Sequence, residues 1–340
     1  RRCEMKNIIY IATLCFTLAC SSCDRDNLFY ATEEQGFVRL NINWEPSQLE
    51  PNGTSAYVFD NESGKAVCEC LISSDPNTID IPLYPGKYDI MVINNTEEEL
   101  ASIDFTGIEN LHTFNAVISA NKEPKYANLL SKAEDNNSYL TACDILARAL
   151  VKAIEITPKD IHYYKEKPAT GEHEVSQTIE VTPERQTELI DIEVKVMNIT
   201  SAAGAPRSHL TAMCESENME KAIKFGHGIT HEFVLNNKRV DPDNYKLATI
   251  TKQLISFGPE KANGKCLNDH QLVMNFILVN GETHTVSLNV KDLIETSHDG
   301  VQTVHKIRAE VTLPEAIGNG DGVFHPEIEE WEEIEAELPI

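Results

Sequence analysis

The chain has 340 residues, 41% of them hydrophobic and 24% charged, with 54 acidic against 29 basic side chains and a formal net charge of −25. That length exceeds one typical domain and points to two, and the composition is that of a folded chain rather than a disordered one. The negative charge repels phosphate backbones and anionic lipid, which argues against nucleic acid as a partner and against docking on a membrane by charge alone.

In chain order, the first pattern runs from Met5 to Asp24. One charged residue, Lys6, precedes an apolar run from Ile8 to Ala19, and small residues then lead into a cysteine. A basic start, a short apolar centre and small residues at the cut are the layout of a secretory signal. The run is shorter than the roughly 20 residues that a membrane-spanning helix needs. A cysteine at the cut resembles a bacterial lipoprotein signal, which implies that residues 1–22 are removed and that the new N-terminal cysteine is acylated. The body would then sit in water behind a lipid tether. Met5 is the expected start. Cys23, with Ser21-Ser22 before it and Asp24-Arg25-Asp26 after it, is the favoured attachment residue, and Cys20 is the alternative. A Ser-Ser-Cys-Asp junction resembles those of Bacteroidetes lipoproteins exported to the cell surface. Residues 23–36 follow as the tether.

Strand signals dominate from there on. Val38, Leu40, Ile42 and Trp44 alternate with Arg39, Asn41 and Asn43, the period of a half-buried strand. Ala56 to Asp60 and Ala66 to Leu71 flank a Gly64-containing loop and read as a hairpin. Ile79 to Leu83 is a short strand, and Pro85-Gly86 turns the chain into Lys87 to Asn94, where Tyr88, Ile90 and Val92 face one way. The stretch from Glu97 to Ala120 reads as loop-rich or weakly helical. Ala142 to Ile156 alternates enough to be a strand, and Thr157-Pro158 marks a seam. Beyond it, Leu189 to Ile199, Glu232 to Leu235, Ala248 to Phe257, Gln271 to Val279, Thr283 to Val290 and Val301 to Leu313 are strand-like. Asn280-Gly281 between two of them predicts a type I′ hairpin turn. The fold class is all-β, as two tandem sandwiches over residues 37–157 and 158–340. The tail from Ile328 to Ile340 alternates Ile334, Ala336 and Leu338 with glutamates and predicts a strand that pairs within its own domain.

Chemistry-bearing motifs are few. Of the nine cysteines, Cys68, Cys70, Cys143, Cys214 and Cys266 lie beyond the processing site, an odd number without regular spacing, and are expected to be small buried hydrophobes. Cys68 and Cys70 would face the same side of a strand. His227 and His231 are four apart beside Glu232, but Gly226 and Gly228 weaken any helix there, so a loop entering a strand is favoured over a zinc site. Gly318 to Gly322 could offer oxygen ligands to calcium, yet it lacks the alternating acids of a calcium loop and reads as a turn. His162 and His173 belong to a polar connection. No nucleophile elbow, phosphate-cradling loop or paired-carboxylate motif occurs. No catalytic residue, metal site or cofactor is therefore expected.

With Tyr57 to Lys65, Leu83 to Asn94, Asp104 to Gly107, Ile156 to Pro158, Val181 to Arg185, Phe276 to Gly281, Gly318 to Gly322 and Trp331 set beside the signal, the chain resembles the Bacteroidetes fimbrillin-like lipoproteins of the fimbrial anchor and minor-subunit type. The resemblance spans nearly the whole mature chain. It implies two transthyretin-like or Ig-like sandwiches in series, attachment to the outer membrane through lipid, and fimbrial subunits as partners by β-strand addition. It also implies that shaft subunits lose their tether by cleavage after an accessible arginine near the end of the first strand. Arg39 lies inside that strand, which leans toward an anchor or a non-polymerising relative. No catalytic residue carries over, only the lipidated cysteine at Cys23. The alternative is a surface glycan-binding lipoprotein, for which Trp44 and Trp331 would have to be exposed rather than core-facing.

Overall fold

A computed structural model of the chain describes residues 35–72, 75–96, 99–121, 123, 125, 138–161, 175–262, 265–315 and 332–333. The alternating segments become strands, and among the described residues there is no α-helix, only short 3-10 turns. The all-β expectation is therefore met. The lipidation residues Cys20 and Cys23, the histidines His162 and His173, the Gly318–Gly322 turn and Trp331 lie outside the described residues. Of the C-terminal tail, Glu332–Glu333 is described, and it pairs in parallel with Asn237 and Lys238.

Two sheets enclose the first core. Gly36–Ile42 is the middle strand of a three-stranded sheet, antiparallel to Thr78–Leu83 and parallel to Val175–Val181. The last of these lies beyond Thr157-Pro158 in the chain, yet Val181 and Ile179 join Val38, Leu40 and Ile42 in the first core. Thr157 and Pro158 themselves start a 3-10 turn, closed by a capping box in which the Asp160 carboxylate accepts from the Thr157 amide at 2.7 Å. Facing this sheet is a central sheet ordered Glu184–Arg185, Ala147–Ile156, Gly86–Asn94, Thr54–Asp60, Ala66–Ile72. Trp44 is buried against this core and its indole N–H donates to the Pro76 carbonyl at 3.0 Å.

The central sheet is buried on both faces. Ala56, Val58, Ile90 and Val92 pack on the first core, whereas Tyr57, Phe59, Met91 and Ile93 point to the opposite side. This explains why Thr54–Asp60 and Gly86–Asn94 read as near-continuous apolar runs, the signature of a strand with no wet face. The stretch expected to be loop-rich supplies the cover. Ile103–Thr106 and Asn115–Ile118 are strands of a four-stranded sheet completed by Ser216–Asn218 and Ile223–Phe225. Their Phe105, together with Phe114, meets Tyr57 edge-on, with ring centroids 6.3 and 5.0 Å from the tyrosine. T-shaped aromatic pairs of this kind add roughly 0.5–1.5 kcal/mol beyond the area they bury.

The second core continues from that face into the C-terminal strands. A six-stranded sheet is built around Glu188–Met197, which runs antiparallel to Asn244–Ser256 and parallel to Thr303–Thr312. It packs on a five-stranded sheet ordered Thr283–Asn289, Gln271–Ile277, Arg207–Met213, Ile229–Val234, Ser138–Leu140. Ile190, Ile192, Val194 and Val196 all point inward, as their spacing predicts. The hairpin after Gln271–Ile277 forms, but positive φ falls on Gly281 alone, at 86°. A type I′ turn needs positive φ at both central residues. The Gly281 amide instead donates to Leu278 O, and the Leu278 amide donates to Glu282 O. That is a tight turn followed by a glycine bulge, not the mirror-image turn expected.

Candidate functional site

The first place of interest is the seat of the N-terminal strand. Gly36–Ile42 is hydrogen-bonded on both flanks, and Val38 and Leu40 are fully buried. Arg39 sits opposite Asp80 in the register. Its guanidinium donates from Nε to Oδ1 at 2.7 Å and from Nη2 to Oδ2 at 2.6 Å. The hydrogen bonds and charge of Asp80 hold the Arg39 pKa above its ordinary value. The neighbouring edge strand Thr78–Leu83 carries Pro82, which has no amide to offer an incoming chain. Seven-residue edge strands also lie at the ends of the central and five-stranded sheets. Ala66–Ile72 flanks the central sheet, and Thr283–Asn289, with alternate residues exposed, flanks the five-stranded sheet.

The structure separates the two histidines considered as a zinc pair. His227 is exposed in a loop, and His231 is buried within Ile229–Val234, the loop-into-strand arrangement favoured by sequence. Burial depresses the His231 pKa to about 4. Among the described residues no cluster of three or more His, Cys, Asp or Glu side chains is arranged to hold a metal. Cys68, Cys70, Cys143, Cys214 and Cys266 are free thiols, with Cys70, Cys214 and Cys266 buried. Cys70 lies in the first core and Cys68 packs against that same core, so they do share a face.

The second place is a cleft of about 730 Å³ where the first sandwich meets the C-terminal sheets. Its walls come from Pro46, the connection Thr182–Glu188, the hairpin carrying Glu217 and Lys224, the Pro259–Lys261 segment, and Thr296 to His305. Arg185 fastens the parts together. It donates from Nε to Ser47 O at 2.7 Å, from Nη2 to Gln48 O at 3.3 Å and from Nη1 to Gln302 Oε1 at 2.9 Å. Glu188 is paired with Lys224 through Oε1 and with His305 Nε2 through Oε2. The other side of His305 meets Lys261 Nζ and Thr296 Oγ1, each 3.1 Å from Nδ1. Gly258 must be glycine here. Its φ is +78°, and a Cβ would stand 2.0 Å from a Glu188 oxygen.

Charges in this cleft are perturbed in opposite directions. Burial works against ionisation of Glu188, but the His305 hydrogen bond and the Lys224 charge outweigh it and keep the pKa below the ordinary range. Glu217, fully buried at the base, has neither carboxyl oxygen hydrogen-bonded. Burial raises its pKa to about 7 despite the charges of Lys224 and Arg148. Burial also lowers the Lys261 and His305 pKa values. No sequence motif marks Glu188, Glu217, Lys224, Lys261 or His305, because their proximity is created entirely by the fold.

Comparison with known proteins follows the fold. No curated protein matches the sequence. Among solved structures, a candidate adhesin from Bacteroides ovatus is 14% identical, with a TM-score of 0.52 over 83% of this chain and 94% of that one. A candidate polysaccharide-binding protein from Bacteroides thetaiotaomicron is 12% identical, with a TM-score of 0.47 over 82% of this chain and 92% of that one. The fimbrial anchor protein Mfa2 from Porphyromonas gingivalis is 12% identical, with a TM-score of 0.45 over 81% of this chain and 90% of that one. At such identity the likeness is one of fold. A sequence-family model, described as a domain of unknown function (DUF5119), matches residues 22–233, well over half of the chain, and the chain belongs to that family.

Proposed function

We propose that this protein is a non-enzymatic lipoprotein of the bacterial outer membrane, exposed at the cell surface and acting as a fimbrial anchor or fimbria-associated subunit in assembly or adhesion. Cys23, or Cys20 in its place, carries the lipid, and fimbrial subunits are engaged by β-strand addition. The observation that carries the reading is the seat of Gly36–Ile42. A strand paired on both flanks, with its apolar face in the core, is built to stay, and Arg39 within it is held by Asp80. A subunit that had to shed this strand would have to open its first core. The fold shared with a Bacteroides ovatus candidate adhesin and the fimbrillin-like sequence patterns point the same way. Ala66–Ile72 and Thr283–Asn289 are among the described edges that strand addition could use.

The test is made in the native bacterium. Globomycin, which blocks lipoprotein signal cleavage, is expected to accumulate the unprocessed chain. Capture of the chain from intact cells is expected to recover a fimbrial subunit. Unchanged processing, or capture that recovers no fimbrial subunit, would overturn the proposal.

A further inference from the structure

We infer that the cleft between the first sandwich and the C-terminal sheets binds a small hydroxylated carboxylate, the chemistry of a uronic acid. Four observations lead there. The cavity, about 730 Å³, lies in the range of small-molecule sites. Lys224 is paired with Glu188, but among the described residues Lys261 and Arg185 make no ion pair with a carboxylate. Lys261 bonds to Thr296 and His305 rather than to a carboxylate, and the Arg185 guanidinium donates to two carbonyls and an amide oxygen. In a chain of net charge −25, such a cleft is where an anion finds opposite charge. The third observation is Glu217, which lines the cleft fully buried and without a hydrogen-bond partner among the described residues. In its neutral form it adds no negative charge to the cleft. Fourth, among the described residues the lining offers no Trp, Tyr or Phe on which a neutral sugar ring could stack, but Thr182, Thr296, Thr303 and Gln186 can hydrogen-bond hydroxyls.

The ligand carboxylate is placed against Lys261, with Arg185 on another wall and Lys224, paired with Glu188, beside it. Glu217 tunes their field from below. Facing it are Lys224 from the adjoining strand, Arg148 from the central sheet and Glu188 from the six-stranded sheet. Arg185, Glu184, Lys261, His298 and His305 complete the charged lining. An anion disfavours ionised Glu217, so binding takes up a proton and tightens as pH falls through neutrality. The assignment stands apart from the assembly proposal, since either can hold without the other.

Titration of the purified chain with glucuronate, glucose and inorganic phosphate, followed by calorimetry and by NMR, tests it. Glucuronate is expected to bind, with glucose and phosphate each weaker by roughly tenfold or more, the loss of about one charged hydrogen bond. Lys261→Met should lose a similar factor while keeping the wild-type melting temperature. Glu217→Gln, a neutral isostere, should bind at least as tightly as wild type and with a flatter pH dependence. Glucuronate binding no tighter than glucose, or a Lys261→Met variant that is folded and binds unchanged, would overturn the inference. Equal competition by phosphate would overturn the carboxylate assignment. A pH profile unchanged in Glu217→Gln would overturn the role given to that residue.

Discussion

Arg39 and Asp80 face each other across the first two paired strands, joined by two parallel hydrogen bonds of 2.7 and 2.6 Å between guanidinium and carboxylate. The bidentate geometry fixes register as well as charge. The arginine side chain is 40% exposed, so solvent screens much of the attraction. Asp80→Ala is accordingly expected to cost about 1 kcal/mol in urea unfolding. It should also speed cleavage after Arg39 by a trypsin-like protease, to which the wild-type chain should be resistant. A variant cleaved no faster than wild type would show that the pair does not guard the strand.

The two-sided burial of the central sheet makes neighbouring residues equivalent in a way that a half-wet strand would not. Ile90 and Met91 are both fully buried, one in each core. Ile90→Ala and Met91→Ala should each destabilise by about 2–5 kcal/mol. Were the far face solvated, the second substitution would be nearly silent in chemical denaturation.

Ala153 sits in the left-handed region at φ 58°, at an irregularity in its pairing with Gly86–Asn94, and its amide donates to Asp89 Oδ1 at 2.8 Å. The conformation crowds a Cβ, which glycine lacks. Ala153→Gly should therefore raise stability by about 0.5–1 kcal/mol, the reverse of the usual effect of glycine in a strand. Thermal melting of the variant beside wild type measures it.

Glu217 gives the stability curve a defined slope. Its folded pKa, about 7, lies above the ordinary 4.5, so between those values the folded state holds a proton that the unfolded state has lost. Stability contributed by the neutral carboxyl is complete below about pH 4.5 and is lost as pH rises through 7, a total on the order of 3 kcal/mol. Glu217→Gln should be more stable than wild type at pH 8, with the difference shrinking toward pH 4.5. Urea titrations at both pH values decide it. His231, whose folded pKa is depressed to about 4, acts oppositely, its contribution being lost as pH falls below 6.5.

Much of this architecture was legible because period-two burial is written locally. Ile190, Ile192, Val194 and Val196 announce their strand, and Gly64 and Gly281 announce hairpins. What stayed hidden is non-local. Ile103–Thr106 and Asn115–Ile118 are four residues each, too short to show a period, and the second is sheltered by Ser216–Asn218 about a hundred residues away. The parallel pairing of Gly36–Ile42 with Val175–Val181 crosses the predicted seam and has no turn to signal it. The cleft is the extreme case. Glu188, Glu217 and His305 are unremarkable in sequence, and only tertiary burial gives them unusual chemistry.

The most direct test of the tethering claim is mass spectrometry of the N-terminal peptide of the chain purified from native outer membranes. The expected species begins at Cys23, or at Cys20, and carries acyl mass on the cysteine, with Gly36–Ile42 intact behind it. A chain beginning at Leu40, after cleavage at Arg39, or an N-terminus without lipid, would contradict it.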